Sequence, residues 1–277
     1  MALKTILVHL ADDPDHLARF EAALALAKRH SAHLTALFIT RPLDVPVEVT
    51  GRGASVVFLE ESAANREKKA RELEAEFKQS CSAKGISHDW IVEDSDHLDS
   101  LSRHAHAADV VIVSRGPDLH LEDRFRLRLA EELVLVTGLP IMVLPAGYAA
   151  GATPIGRRIL IGWKPTRQAV RAVRDALPFL QAAQKVLLTT VRPTTTDAIS
   201  TLEIAQYLTR QEVSAETLDV DEASGGVGET LLAAADTHEC DLIVLGAYGN
   251  SRLKEVLFGG VTRDLFRHSK IPLLLSH

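Results

Sequence analysis

The sequence predicts an α/β protein built from two tandem Rossmann-like domains, each an open five-stranded parallel sheet flanked by helices. Two observations predict this fold. Short apolar runs alternate with Ala-rich helical stretches, and runs such as residues 110–113 and 242–245 are apolar throughout, as strands buried on both faces are. The same succession also occurs twice along the 277 residues, a length that suits one large domain or two modest ones.

The repeat is clearest at the beginning and near the end of each copy. Lys4-Thr-Ile-Leu-Val-His-Leu10 resembles Arg157-Arg-Ile-Leu-Ile-Gly-Trp163, since both are apolar runs behind a basic residue. Near the end of each copy, an aspartate and a proline stand 31 residues apart and precede another apolar run: Asp109 and Pro140, Asp241 and Pro272. We therefore expect a first domain at residues 1–147, a Gly/Ala/Pro-rich linker at 148–154 and a second domain at 155–277.

The second copy shows its elements in a regular order. Its apolar runs predict strands at residues 159–163, 185–191, 214–220, 241–246 and 272–275, and the patterns between them predict helices at 167–182, 197–211, 227–238 and 259–269. The first copy has an additional long helix at about residues 59–84, with an apolar stripe formed by Leu59, Ala63, Ala70, Leu73 and Phe77. This stripe predicts packing on the sheet of the same copy, with a partner-binding face as the alternative.

Composition and charge exclude several functional classes. The net charge is −6, and all of it lies in residues 1–150, so neither half has the basic excess of a nucleic-acid-binding protein. No apolar run reaches the ~18 residues of a membrane span, and the first ten residues lack the pattern of a secretory signal. Cys81 and Cys240 are isolated, which argues against a disulfide framework. We expect a cytoplasmic protein without nucleic-acid or membrane partners.

A glycine-rich segment after the fourth strand of the second copy carries the clearest functional signal. Gly246 and Gly249 leave the strand, and the pair Gly259-Gly260 opens the next helix. Glycines let backbone N–H groups approach an anion closely, and a helix N-terminus adds unpaired donors and the positive end of a dipole. The Thr262 hydroxyl is a further donor. The segment therefore predicts a phosphate site, although it lacks the P-loop sequence.

At these residues the chain resembles the universal stress protein family, whose ATP-binding members carry a G-x2-G-x9-G-[ST] motif. The resemblance implies the adenine nucleotide alpha hydrolase-like fold, ATP or a related adenine nucleotide as ligand, with or without Mg²⁺, and a stress-linked regulatory role with at most slow ATP hydrolysis. It also implies dimers through the last strands, or the same pairing made between the two copies of one chain. The implied nucleotide-binding residues are Gly162, Trp163, Lys164, Val191, Gly246, Tyr248, Gly249, Gly259, Gly260, Val261 and Thr262.

Two residues depart from the family pattern. Gly260 stands where the family has Ser or Thr, and Lys164 stands where it often has Asp. A lysine there is able to pair with phosphate, but it equally fits a site that has lost nucleotide binding. The alternative function is a dimerisation or interaction scaffold of the same fold. An ATP pyrophosphatase or adenylyl-transferring enzyme is disfavoured, because the loop after the first strand reads Trp163-Lys-Pro-Thr-Arg-Gln instead of the Ser-Gly-Gly-x-Asp-Ser of those enzymes.

The first copy serves as an internal control for the glycine motif. When Asp109 is aligned with Asp241, the four motif glycines become Ser114, Pro117, Leu127 and Arg128, and Thr262 becomes Ala130. Proline removes a donor, and the larger side chains block close approach of the backbone to phosphate. We therefore predict that the first copy does not bind nucleotide in the family manner.

Candidate metal ligands are weak. Asp12, Asp13 and Asp15 predict a polar turn before a helix more strongly than a Mg²⁺ site. His104 and His106 are two residues apart, so they point to different faces of a helix and make poor co-ligands. We expect no metal site.

Overall fold

The apolar runs form the strands in a computed structural model of the protein, which describes residues 2–41, 56–115, 129–149, 154–192, 195–249 and 260–277. Contacts divide the chain into two units, residues 3–112 and residues 113–277. The strands are mostly parallel and are flanked by helices, so the predicted α/β class is confirmed.

Residues 3–112 hold the first copy's helices α1–α3 and its first strands. The strands are β1 (Thr5–Leu10), β2 (His33–Ile39), β3 (His88–Glu93) and the start of β4 (Val110–Ser114), in the order β3-β2-β1-β4 and all parallel. The helices are α1 (His16–His30), α2 (Val56–Ala83) and α3 (His97–Ala105). In α2, Ala70, Leu73 and Phe77 are buried, and the Phe77 and Trp90 rings lie 5.3 Å apart, which supports packing of this helix on its own sheet.

Residues 113–277 hold the rest of the chain. The strands are β5 (Ile141–Leu144), β6 (Arg158–Gly162), β7 (Lys185–Val191), β8 (Ala215–Val220), β9 (Leu242–Gly246) and β10 (Leu273–Ser276). The helices are α4 (Leu129–Val136), α5 (Arg167–Asp175), α6 (Leu177–Gln181), α7 (Thr195–Arg210), α8 (Gly226–Thr237) and α9 (Gly260–His268). The strand order is β5-β10-β9-β6-β7-β8; strands β6 to β10 are mutually parallel, whereas β5 runs antiparallel to β10, with Met142 opposite Leu274.

The single helix predicted at residues 167–182 is wrong. The chain instead forms α5 and α6, with a break at Ala176. Pro178 lies in the first turn of α6, where its missing N–H is harmless. Within a continuous helix its ring would clash with the carbonyl four residues earlier, so the proline ends one helix and starts another.

An aspartate fixes the start of the first strand in each copy. Asp109 Oδ2 accepts from the backbone N–H groups of Lys4 and Thr5, at 2.6 and 2.8 Å. Asp241 does the same for Gly156 and the two residues that follow, at 2.7 to 3.1 Å. The two aspartates that revealed the repeat therefore have the same structural role.

The two compact units do not follow the limits of the sequence repeat. Strand β5, which the repeat gives to the first copy, belongs to residues 113–277 because it pairs with β10. The two sets of limits differ because the repeat is defined by similarity of sequence, whereas the compact units are defined by contacts between residues. The limits expected at 1–147, 148–154 and 155–277 remain a prediction.

Candidate functional site

A cleft opens at the carboxyl ends of the strands of the second copy. Strand β6 has β7 and β8 on one side and β9 and β10 on the other, so the direction of winding reverses between β6 and β9. Open α/β sheets bind ligands at such a reversal. The cleft here has a volume of about 470 Å³, within the range of small-molecule sites.

Most of the residues predicted for the site lie around this cleft. Those that line it are Gly162, Trp163, Lys164, Val191, Gly246, Tyr248, Gly249, Val261 and Thr262. Gly260 is the exposed first residue of α9 and is not part of the lining. Gly259 lies outside the described residues. Residues that are far apart along the chain, such as Gly162 and Thr262, thus meet at one place in the fold.

Close packing also surrounds two of the predicted glycines, and it requires one of them. A Cβ on Gly246 would overlap the backbone of Gln168 and Ala169, at the start of α5. A Cβ on Gly162 would overlap the side chain of Leu245. Gly246 lets α5 approach the strand, so the fold needs this glycine whether or not a ligand binds, whereas the Leu245 methyl group near Gly162 belongs to a side chain that is able to move. Gly260 differs, because a Cβ there would meet no atom of the described residues within 4 Å.

Trp163 forms a fixed wall of the cleft. Its ring is buried, its backbone N–H donates to the Thr189 carbonyl at 2.8 Å, and its indole N–H donates to Ser200 Oγ of α7 at 2.9 Å. Thr190 and Thr201, whose hydroxyls are 3.1 Å apart, link β7 to the same helix. The indole is therefore held in place before any ligand arrives.

Charged side chains of both signs surround the opening. Arg192 Nε and Glu222 Oε2 form an ion pair at 3.1 Å. Asp197 also lines the cleft. The Lys164 side chain is exposed, and it forms no ion pair with any part of the chain that the structure describes. Its ammonium group is thus available to an anion in the cleft.

Tyr248 holds the turn between the two glycines that follow β9. Its backbone is left-handed, with φ of 60°, a conformation that is rare outside glycine. Its side chain is buried, and burial raises the pKa of its hydroxyl far above the ordinary value, with a smaller contribution from Glu131. The phenol therefore stays protonated and is no candidate for a general base.

Sequence reasoning missed about half of the lining. The additional residues are Thr166, Ala169, Thr189, Thr190, Arg192, Asp197, Glu222, Val227, Leu231 and Leu245. A usable signal existed for some of them. Arg192 and Glu222 come just after predicted strands, at the sheet edge where ligands bind, and Thr166 caps α5 by accepting from the Ala169 N–H.

In the first copy, a buried histidine stands at the position that corresponds to Gly162. The alignment of the opening strands puts His9 where Gly162 stands, and His9 is 2% exposed. Its Nε2 lies 2.9 Å from Nδ1 of His97, whose Nε2 lies 2.7 Å from the Arg41 carbonyl. Because the carbonyl only accepts, His97 Nε2 donates to it, and in the neutral pair His9 donates to His97.

The polar turn after β1 also has structural partners. Asp13 forms an ion pair with the buried Arg19, and its Oδ1 accepts from the Asp15 N–H at 2.9 Å. Arg19 Nε in turn donates to the His9 carbonyl at 2.7 Å. His104 Nε2 lies 2.9 Å from Glu93, and the described residues contain no group of three potential metal ligands. Of the first-copy motif positions, Ser114 and Ala130 are described, whereas Pro117, Leu127 and Arg128 lie outside the described residues.

No helix within the described residues is long and apolar enough to span a membrane. Residues 156–277 match the family model of the universal stress protein family. No curated protein was matched by the sequence.

Two solved structures resemble the whole chain. A universal stress protein from Archaeoglobus fulgidus is 12% identical, with a TM-score of 0.75, 98% of this chain covered and 95% of that one. A proposed universal stress protein from Pseudomonas aeruginosa is 17% identical, with a TM-score of 0.59 and coverage of 99% and 93%. At these identities the likeness concerns the fold.

Proposed function

We propose that the second copy, whose residues 156–277 match the model of the universal stress protein family, binds an adenine nucleotide in the cleft between β6 and β9. We also propose that the protein is a stress-response regulator with little or no catalysis. The observation that carries the proposal is the convergence of Gly162, Trp163, Gly249, Val261 and Thr262, predicted from separate segments, on one cleft of nucleotide size.

The cleft offers the two environments that a nucleotide needs. Val191, Val227, Leu231 and Leu245 give it an apolar part, suited to the faces of a purine ring. The first turn of α9 supplies backbone N–H groups without intrahelical partners, and these favour phosphate. We expect the base at the ends of β6 and β7 and the phosphates toward Gly249 and α9.

Lys164 supports the same orientation. Thr166 Oγ1 and Gln168 Oε1 lie 3.8 and 3.3 Å from where a Cβ of Gly249 would be, so the segment after β6 lies against the glycine turn. Lys164 belongs to that segment and lines the cleft. We expect its ammonium group to neutralise phosphate, a role that a carboxylate at this position would not have.

The competing scaffold function has one observation in its favour. The packing of Gly246 against α5 explains that glycine without a ligand. The motif as a whole is harder to explain in this way, because a Cβ on Gly260 would meet no described residue within 4 Å and packing against those residues gives no reason for this glycine.

Calorimetry on the full chain with ATP, ADP and AMP tests the proposal. Val261→Glu is an informative variant, because a carboxylate in the first turn of α9 favours the helix dipole but repels phosphate. Val261→Gln is the matched neutral control. We expect saturable ATP binding that Val261→Glu weakens by at least about tenfold relative to Val261→Gln. Absence of binding of all three nucleotides to the wild-type protein would leave the scaffold function.

A further inference from the structure

Arg115, just beyond β4, contacts the far end of helix α9. One terminal nitrogen of its guanidinium donates to the carbonyls of Phe266 and Arg267, at 2.6 and 2.5 Å. Both carbonyls lie in the last turn of α9, which ends at His268. Carbonyls there lack intrahelical partners, and a cation at that end also interacts favourably with the helix dipole.

The arginine is itself firmly held. Its backbone N–H donates to the Leu144 carbonyl at 2.7 Å, at the end of β5, and β5 is paired with β10. The side chains around this contact, including Pro145 and Ile271, leave a gap of about 10 Å³, at the lower limit for one water molecule. The contact is partly buried and leaves little free space, so it is able to fix the position of α9.

The opposite end of α9 reaches the cleft. Val261 and Thr262 of its first turn line the cleft, and Thr262, Leu265 and Phe266 are buried. A helix of nine residues is a rod about 13 Å long. A group that fixes its last turn thereby helps to fix its first.

From these contacts we infer that Arg115 is a positioning residue for the phosphate end of the cleft. The inference rests on the proposed function. The inference assigns a role to the first copy. The segment after β4 lacks the glycine motif, and its Arg115 instead holds the helix of the second copy that faces the phosphates. The second copy cannot make the corresponding contact. Its residue equivalent to Arg115 is Ala247, whose side chain has no hydrogen-bond donor.

The test compares wild-type protein with Arg115→Met and Arg115→Lys in the full chain. Calorimetry is done with ATP and with adenosine, and hydrogen exchange is followed at the backbone N–H groups of residues 262–269. Arg103→Met is the matched control, because it also removes an arginine that donates hydrogen bonds, here to Glu93 in residues 3–112.

Arg115→Met is expected to weaken ATP binding by about 3- to 10-fold, to leave adenosine affinity within about twofold and to speed exchange in α9. Arg115→Lys keeps the charge, so its ATP affinity should lie between those of the wild-type protein and Arg115→Met. An equal loss for ATP and adenosine would mean a general structural role and would overturn the inference, as would unchanged ATP affinity. If wild-type protein binds neither ligand, the proposed function fails and the inference with it, whereas a failure of Arg115 alone leaves ATP binding intact.

Discussion

Lys164 is the residue whose charge most directly determines what the cleft is able to bind. It is exposed, lies beside the glycine turn and has no ion-pair partner within the residues described. Among the described residues of the lining, the other cation is Arg192, which is already paired with Glu222. A ligand with several negative charges gains more from Lys164 than one with a single charge or none.

We therefore expect Lys164→Met to weaken ATP binding by about tenfold, AMP binding less and adenosine binding not at all. Lys164→Arg, which keeps the charge, should stay close to wild type. Calorimetry at low ionic strength and without Mg²⁺ isolates the contribution of the side chain. A similar loss for adenosine would show that Lys164 contacts the nucleoside and that the expected orientation is wrong.

A substitution at Gly260 is expected to strengthen ATP binding instead of weakening it. Since a Cβ there meets no atom of the residues that the structure describes within 4 Å, Gly260→Ser should fold normally and add a hydroxyl at the first position of α9. We expect tighter ATP binding, by about threefold for one added hydrogen bond, and no loss in melting temperature.

The matched control is Gly246→Ser, where the new Cβ would overlap the backbone of α5. That variant should lower the free energy of unfolding by about 1–3 kcal/mol. Thermal melts and calorimetry on both variants measure the two effects. Equal destabilisation by the two substitutions would contradict the distinction drawn between these glycines.

Two buried histidines make the first copy sensitive to acid. Burial lowers the pKa of His9 well below the ordinary value, and Arg19 and His97 lower it further. Burial is also the main cause that lowers the pKa of His97, against smaller opposing effects of the Arg41 carbonyl, Asp96 and Asp13. Both rings are therefore neutral in the folded protein at pH 7.

The unfolded chain takes up protons at these positions below about pH 6.5, before the folded chain does. The stabilising effect of the neutral pair is thus complete above that pH and is lost as the pH falls toward the lowered values. We expect His9→Gln, which keeps a donor at similar reach, to lose less melting temperature than wild type between pH 7.5 and pH 5. The control is His106→Gln at an exposed site. Parallel pH profiles for wild type and His9→Gln would refute this explanation.

Among the secondary-structure elements, the strands follow most closely from sequence. Buried parallel strands such as β4 and β9 are apolar throughout, and the predicted limits in the second copy lie within about one residue of those observed. The break between α5 and α6 was missed, because Leu177, Phe179 and Leu180 continue the apolar helical pattern across it. Pro178 was the available signal.

The candidate site was predictable only where its residues lie close together in the sequence. The glycine motif is local in sequence, so its spacing alone indicated an anion site. Arg192 and Glu222 form their pair only because β7 and β8 are neighbours in the sheet. The contact of Arg115 with α9 spans about 150 residues and depends on the pairing of β5 with β10, which no local pattern records.

Considered as a whole, the chain shows two copies that kept the same framework and diverged at the ends of their strands. Asp109 and Asp241 have the same structural role, whereas the buried His9 stands at the position that Gly162 has in the second copy. The negative charge lies in the half without the glycine motif. Residues at the ends of the strands are therefore able to differ between the copies while the buried strands keep the same pattern.

The pairing of β5 with β10 leads to a last prediction, on association. Leu273, Leu274 and Leu275 of β10 are buried, and β5 covers one edge of that strand. A fragment of residues 154–277 lacks β5 and would expose an apolar edge with unpaired N–H and C=O groups, a template for pairing with another chain. We expect the fragment to self-associate with increasing concentration in sedimentation velocity. The full chain, which keeps β5, is the control. A wild-type fragment that stays monomeric at about 100 µM would show that β5 is not needed to cover β10.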